Sequence, residues 1–153
     1  MAIYIVQHGK SLSKEQDPEK GLAPEGRQET QRIAEVAGGY AVNVAAIVHS
    51  GKKRARETAD IFAARLSPAA GVTVRSGMNP MDDVRSFAGQ LAWDRDIMLV
   101  GHLPFLERLI GELVTGDPDR TLFKLQNSGI VCLDLDSRSG KPVICWSLMP
   151  HIG

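Results

Sequence analysis

The sequence predicts an α/β fold, a three-layer α/β/α sandwich around a mixed, mainly parallel sheet. Three observations carry this. Short apolar runs of strand length alternate with longer segments whose apolar residues recur at helical spacing. Glycine and proline punctuate the boundaries between them. Two β-rich runs at the end of the chain flank a polar turn and read as a hairpin, which adds antiparallel strands to the parallel ones.

Each element has its own reason. Ile3 to Val6 is a continuous apolar run, hence a buried strand. Lys14 to Gly21 is charged and contains Pro18, so it is a loop. A helix follows, with Pro24 suited to its first turn and Gly38-Gly39 ending it. Ala23 is a poor cap for it, having no side-chain oxygen for the free amides. Ala46-Ile47-Val48 is a second strand. In "GKKRARETADIFAARL", Ala55, Ala59, Phe62 and Leu66 form one helical stripe. Val72-Thr73-Val74 is a short third strand, and Asp82 to Leu91 a short helix with Val84, Phe87 and Leu91 aligned. Ile97 to Val100 is a strand, and Leu106, Leu109, Ile110, Leu113 and Val114 follow the helical period. "GIVCLDLD" and "PVICWSLM" are the arms of the final hairpin, with "SRSGK" between them. No repeat, low-complexity tract or linker interrupts the series, so a single domain over 1–153 is expected.

The chain balances 18 Lys+Arg against 18 Asp+Glu, which gives no global pull toward nucleic acid or an anionic membrane. No stretch reaches the ~20 apolar residues of a membrane-spanning helix. The strand-like start carries no signal-peptide pattern, so the expectation is a cytoplasmic protein. Cys132 and Cys145 lie in apolar surroundings and read as buried, reduced thiols. Val143 to Met149 could form an exposed edge or lie under a helix; a monomer is the default.

Ligands of such sheets bind beyond the carboxyl ends of the strands. Three of the four histidines fall there: His8, His49 and His102. Gly9 and Gly101 beside two of them let a ligand approach the backbone closely. Ser50, Gly51 and the following helix amides suit an anion. Arg54, in the first turn of that helix, can hold a phosphate through two parallel hydrogen bonds. The remaining cations of that cluster read as a solvated helix face.

These residues resemble the histidine phosphatase superfamily. Its signature is Arg-His-Gly after the first strand; here it stands as Gln7-His8-Gly9. The likeness continues in "LAPEGR" (Leu22 to Arg27), "SGKKRARETA" (Ser50 to Ala59) and "VGHLP" (Val100 to Pro104). Four such motifs in order form a specific pattern. The short chain leaves no room for the capping insertion of the mutases and looks like the SixA-type phosphohistidine phosphatases; "HGKS" and "NPMDD" fit that branch too.

The resemblance implies a phosphoglycerate mutase-like fold and a metal-independent hydrolase without cofactor. Its partner would be a phosphohistidine-bearing signalling protein, with phosphate or a similar oxyanion in the site. His8 would attack phosphorus and be transiently phosphorylated, with its other ring nitrogen donating to a backbone carbonyl. Arg54 and His102 would hold the phosphoryl oxygens. Gln7, Gly9, Lys10, Ser50 and Lys52 would complete the phosphate site. His49 departs from the family, which more often has a small residue before this serine; it either adds a donor to the phosphate site or is a polar strand end. No residue stands out as the general acid that an alkoxide leaving group requires. Glu107 reads as a solvated charge, and Asp82 and Asp83 equally suit a helix start.

Gln7 donates hydrogen bonds but carries no charge. Three readings are open. Lys10 or Lys52 supplies the missing cation; the substrate presents a different anion; or the protein binds phosphohistidine and turns it over poorly. Two rivals remain beside the phosphatase. One is a phosphate-binding module without turnover. The other is a metal-dependent hydrolase using His8, His49, His102 and a carboxylate from Asp82 or Asp83. His151 is expected to be uninvolved.

Overall fold

The computed structural model describes residues 1–152. Six strands form one sheet: β1 (Ile3–Gln7), β2 (Ala46–His49), β3 (Val72–Val74), β4 (Ile97–Gly101), β5 (Ile130–Leu135) and β6 (Pro142–Leu148). The helices are α1 (Pro24–Gly39), α2 (Lys53–Leu66), α3 (Val84–Gly89) and α4 (Phe105–Thr115). The strand order is β3-β2-β4-β1-β5-β6. β3, β2, β4 and β1 run parallel; β5 pairs antiparallel with β1, and β6 with β5. The sheet is therefore mixed and mainly parallel, as the interleaved pattern and closing hairpin predict.

Alternation along the strands separates two apolar layers. Tyr4, Val6, Ile47, Met98 and Val100 meet Ile33, Ala37, Ala55, Ala59 and Phe62 of α1 and α2. Ile3, Ile5, Val48 and Leu99 meet Phe87 of α3 and Phe105, Leu106 and Leu109 of α4 on the other face. Phe62 and Phe105 are fully buried; each contributes about 1.5–3 kcal/mol by leaving water.

Local departures from the sequence reading have local causes. α1 begins at Pro24 and lacks a side-chain cap, as Ala23 requires. α3 is shorter than expected, because Asp83 caps it by accepting from Arg85 N–H at 2.9 Å. β1, β2 and β4 each run one residue further than the apolar runs, taking in Gln7, His49 and Gly101. Cys132 is buried, but Cys145 is exposed, contrary to expectation. β6 is an edge strand, so Val143 to Ser147 face solvent on alternate or successive residues. Among the described residues no helix is long and apolar enough to cross a membrane.

Candidate active site

β1 and β4 are parallel neighbours in register, Gln7 opposite Gly101. The next residue of each is a histidine, so His8 and His102 emerge side by side at the carboxyl edge. Their ring centroids are 5.0 Å apart and tilted by 51°. β2 flanks β4 on its other side, and its end delivers Ser50, Gly51, Lys52 and the first turn of α2. Arg54 in that turn lies close enough to both imidazoles to lower their proton affinity.

The His8 segment is held at every backbone group. Its N–H donates to Gly101 O at 3.0 Å. Its carbonyl accepts from Asn127 Nδ2 at 2.8 Å. Gly9 N–H donates to Thr58 Oγ1 at 2.9 Å, and that hydroxyl donates to Arg54 O at 2.7 Å. Thr58 is fully buried and thus ties the His8 loop to the turn that carries Arg54. α1 reaches the same loop because position 26 is glycine. A Cβ there would collide with the Lys10 carbonyl.

The ring of His8 is oriented too. Nδ1 lies 2.7 Å from Gly9 O. A carbonyl only accepts, so Nδ1 carries the proton and Nε2 carries the lone pair. Burial pushes this imidazole down to about 4, with Arg54 and Lys20 adding to the effect against the Gly9 hydrogen bond. Burial pushes His102 down to about 3, helped by His8, Arg54 and Lys52. Both rings are neutral at pH 7. His102 Nε2 is 2.6 Å from Ser50 Oγ. Among the described residues, Gln7 Oε1 and His102 Nδ1 are the buried side-chain polar atoms without a hydrogen-bond partner, and both are here. Unsatisfied buried polar atoms are costly, and their collection in one place marks a functional site.

The other expected phosphate ligands divide. Ser50, Lys52 and Gly9 lie with the two histidines. Lys10 is drawn away: its Nζ pairs with Glu25 Oε1 at 2.7 Å on the exposed surface. Of the two places open to His49, phosphate donor or polar strand end, it takes the second. Because β2 runs on through it, its side chain takes the α2 face along with Ile47, where Asp60 and Arg56 act on it. Its Nδ1 accepts from Gly51 N–H at 3.0 Å and shapes the turn instead. His8, His49 and His102 therefore do not converge, and no group of three His, Cys, Asp or Glu among the described residues is arranged to hold a metal ion. Asp83 caps α3, and Asp82 accepts from Asn79 N–H at 2.8 Å. Glu107 is not a free solvated charge; it accepts from Leu125 N–H at 3.0 Å.

Sequence reasoning missed three contributors. Thr58 stands inside a quoted motif, but its hydroxyl role needs the fold. Lys20 reaches His8 because its loop is pinned to α2: Asp17 accepts from Lys53 Nζ at 2.8 Å, and Glu57 from Leu22 N–H at 3.0 Å. Asn127 precedes β5. Its signal was the antiparallel pairing of β5 with β1, which starts β5 at the end where β1 finishes. Beside Gln7 and Asn127 runs a groove of about 480 Å³ that Lys10, Glu25, Glu29 and His151 also line. His151, expected to be uninvolved, bonds Glu29 Oε2 at 2.8 Å there.

The family model of the histidine phosphatase superfamily (branch 1) matches residues 3–82, from β1 to the edge of α3. The chain belongs to the histidine phosphatase superfamily. Among solved structures it is similar to the protein histidine phosphatase SixA complexed with tungstate, at 24% identity and a TM-score of 0.82, over 98% of this chain and 97% of that one. It is similar to the α-ribazole phosphatase from Shigella flexneri, at 13% identity and 0.79, over 100% and 98%. It is also similar to a phosphoserine phosphatase from Entamoeba histolytica, at 19% identity and 0.70, over 95% of each chain. No curated protein matches the sequence. The fold of the superfamily is shared by all three, and their names span different phosphorylated substrates, so fold alone does not select among them.

Proposed function

We propose that the chain is a phosphohydrolase that removes phosphate from a phosphohistidine-bearing protein through a covalent phospho-His8 intermediate. The observation that carries this is the 2.7 Å hydrogen bond from His8 Nδ1 to Gly9 O, which leaves Nε2 unprotonated in a neutral ring. That is the form a nucleophile needs. Nε2 attacks phosphorus, the P–N bond of the substrate breaks, and the substrate imidazole, already protonated by solvent on its other ring nitrogen, leaves as a neutral ring. Arg54 stabilises the charge on the equatorial oxygens, with His102, Ser50 and the amides that open α2. Water then cleaves the phospho-His8 bond.

The choice of phosphohistidine rests on the carboxylates. Asp82, Asp83 and Glu107 are each occupied by backbone amides, and Glu25 by Lys10. An alkoxide leaves poorly without a general acid, a contribution of roughly 10²–10⁴-fold. A protonated imidazole leaves readily. The compact fold without a capping insertion also suits a protein substrate reaching an open edge.

The test is phosphate release from a phosphohistidine protein in metal-free buffer, with wild type and His8→Ala compared. Turnover by wild type alone, with label trapped on His8, supports the proposal. A second reading is favoured by one observation: Lys10 is committed to Glu25, so Gln7 gains no cation from it. A phosphohistidine-binding module would bind phosphate and release it from substrate no faster than His8→Ala does.

A further inference from the structure

The molecule carries a pair of thiols outside the His8 site, one of them on β5 where Cys132 pairs with Tyr4 of β1. β5 and β6 pair with Leu133 opposite Ile144 and Cys132 opposite Trp146. One step along β5 thus matches two steps along β6. Cys145 is the extra residue of a β-bulge, and it and Trp146 together oppose Cys132. In an uninterrupted strand, alternation would send residues 145 and 146 to opposite faces. The bulge suspends that alternation and re-aims Cys145. The register thus brings Cys145 beside Cys132, near enough for the two thiols to act on each other, while Cys145 Sγ itself donates to Val143 O at 3.9 Å. Trp146 is the direct partner of Cys132 and Cys145 its chain neighbour, so a disulfide, whose Cβ atoms lie about 3.5–4.5 Å apart, takes a small shift of the edge strand.

The pair is asymmetric. Cys132 is 4% exposed, and burial, with Cys145 adding, pushes its thiol up to about 12. Cys145 is exposed on an edge strand. One thiol is open to reagents and the other is sequestered beneath it, an arrangement of attacking and resolving cysteines.

We propose that Cys145 and Cys132 form a reversible intrachain disulfide when the protein meets hydrogen peroxide. The Cys145 thiolate attacks one peroxide oxygen; the O–O bond breaks, and hydroxide leaves and is protonated to water. Cys145 is now a sulfenic acid. The Cys132 sulfur attacks the Cys145 sulfur, the S–O bond breaks, and the oxygen departs with the Cys132 proton as a second water. Two thiols are oxidised and one peroxide is reduced. A small dithiol reverses the bond by exchange. The proposal is independent of what His8 does.

The experiment treats the full chain with stoichiometric peroxide, alkylates it under denaturing conditions, and reads intact and peptide masses. The expected result is a monomeric chain lighter by two hydrogen atoms, with no alkylatable thiol, a linked Cys132–Cys145 peptide pair, and full recovery with dithiothreitol. Cys145→Ser, an exposed substitution that leaves the core intact, keeps Cys132 alkylatable after the same treatment. Oxygen atoms added at Cys145 with Cys132 still alkylatable would overturn the proposal. So would disulfide-linked pairs of chains, or Cys132 lost to peroxide in Cys145→Ser as fast as in wild type.

Discussion

The two flanks of His8 are built from different materials. On the β4–β2 flank, the loop is tied to α2 through Thr58, and the groups that reach the ring are cations or helix amides: Arg54, Lys52 and the turn at Ser50. On the β5 flank the contacts are neutral amides, Gln7 and Asn127, and the nearby charged groups already have partners, Lys10 with Glu25 and Glu29 with the His151 ring. The first flank matches what a transferring phosphoryl group needs. The second is uncharged at close range and opens onto a groove, so it is suited to the rest of a substrate. The departure at Gln7 belongs to this contrast. It falls on the flank that supplies shape and not charge.

Five measurements break or sharpen this contrast. His8→Ala removes the nucleophile itself and is expected to cut turnover by about 10³-fold or more; residual activity near wild type would mean that neither flank serves phospho-His8. Arg54→Ala strips the cationic flank of its strongest group and should cost about 10²–10³ in kcat. Arg54→Lys should restore only part, since a lysine cannot reproduce the planar fork.

The third is pH. His8 and His102 sit at about 4 and about 3 in the folded chain, both pushed down mainly by burial. The acid limb of kcat/KM should therefore lie near pH 4, well below the ordinary imidazole value. The same shifts act on stability. Below the ordinary value of about 6.5 the unfolded chain binds these protons first, so stability is full above that pH and falls as pH drops toward 4. An acid limb near 6.5 would mean the rings are solvated and the flanks do not enclose them.

The smallest effects are on the neutral flank. Gln7→Arg should tighten inhibition by tungstate about 5- to 10-fold, the difference between a neutral and a charge-assisted contact. Lys10→Ala should change folding stability by less than about 1 kcal/mol, because its ion pair is exposed. A large loss from Lys10→Ala would place a working cation on the flank described as neutral.

What the sequence disclosed follows the same division. His8, Arg54 and His102 were legible because each closes a buried apolar run or opens a helix, and those boundaries are written in local pattern. The strand–helix order was legible for that reason as well, down to the uncapped start of α1. His49 left two places open, phosphate donor and polar strand end, and the second holds because β2 extends one residue beyond its apolar run, and one residue of strand reverses a side chain's face. Lys20 and Asn127 were invisible because each arrives through loop contacts across long sequence separations, Asp17 with Lys53 and Asn127 with His8. Glu107 and Lys10 were misread for a related reason: an ion or amide partner on another element decides whether a surface charge is free.

The Thr58 hydroxyl has a mechanical meaning. It bridges Gly9 N–H and Arg54 O, so the segment bearing the attacking nitrogen and the turn bearing the guanidinium are coupled through a single oxygen. The separation that governs the near-attack geometry is thus set by two short hydrogen bonds in series, as one barrel sets the spacing of a lens pair.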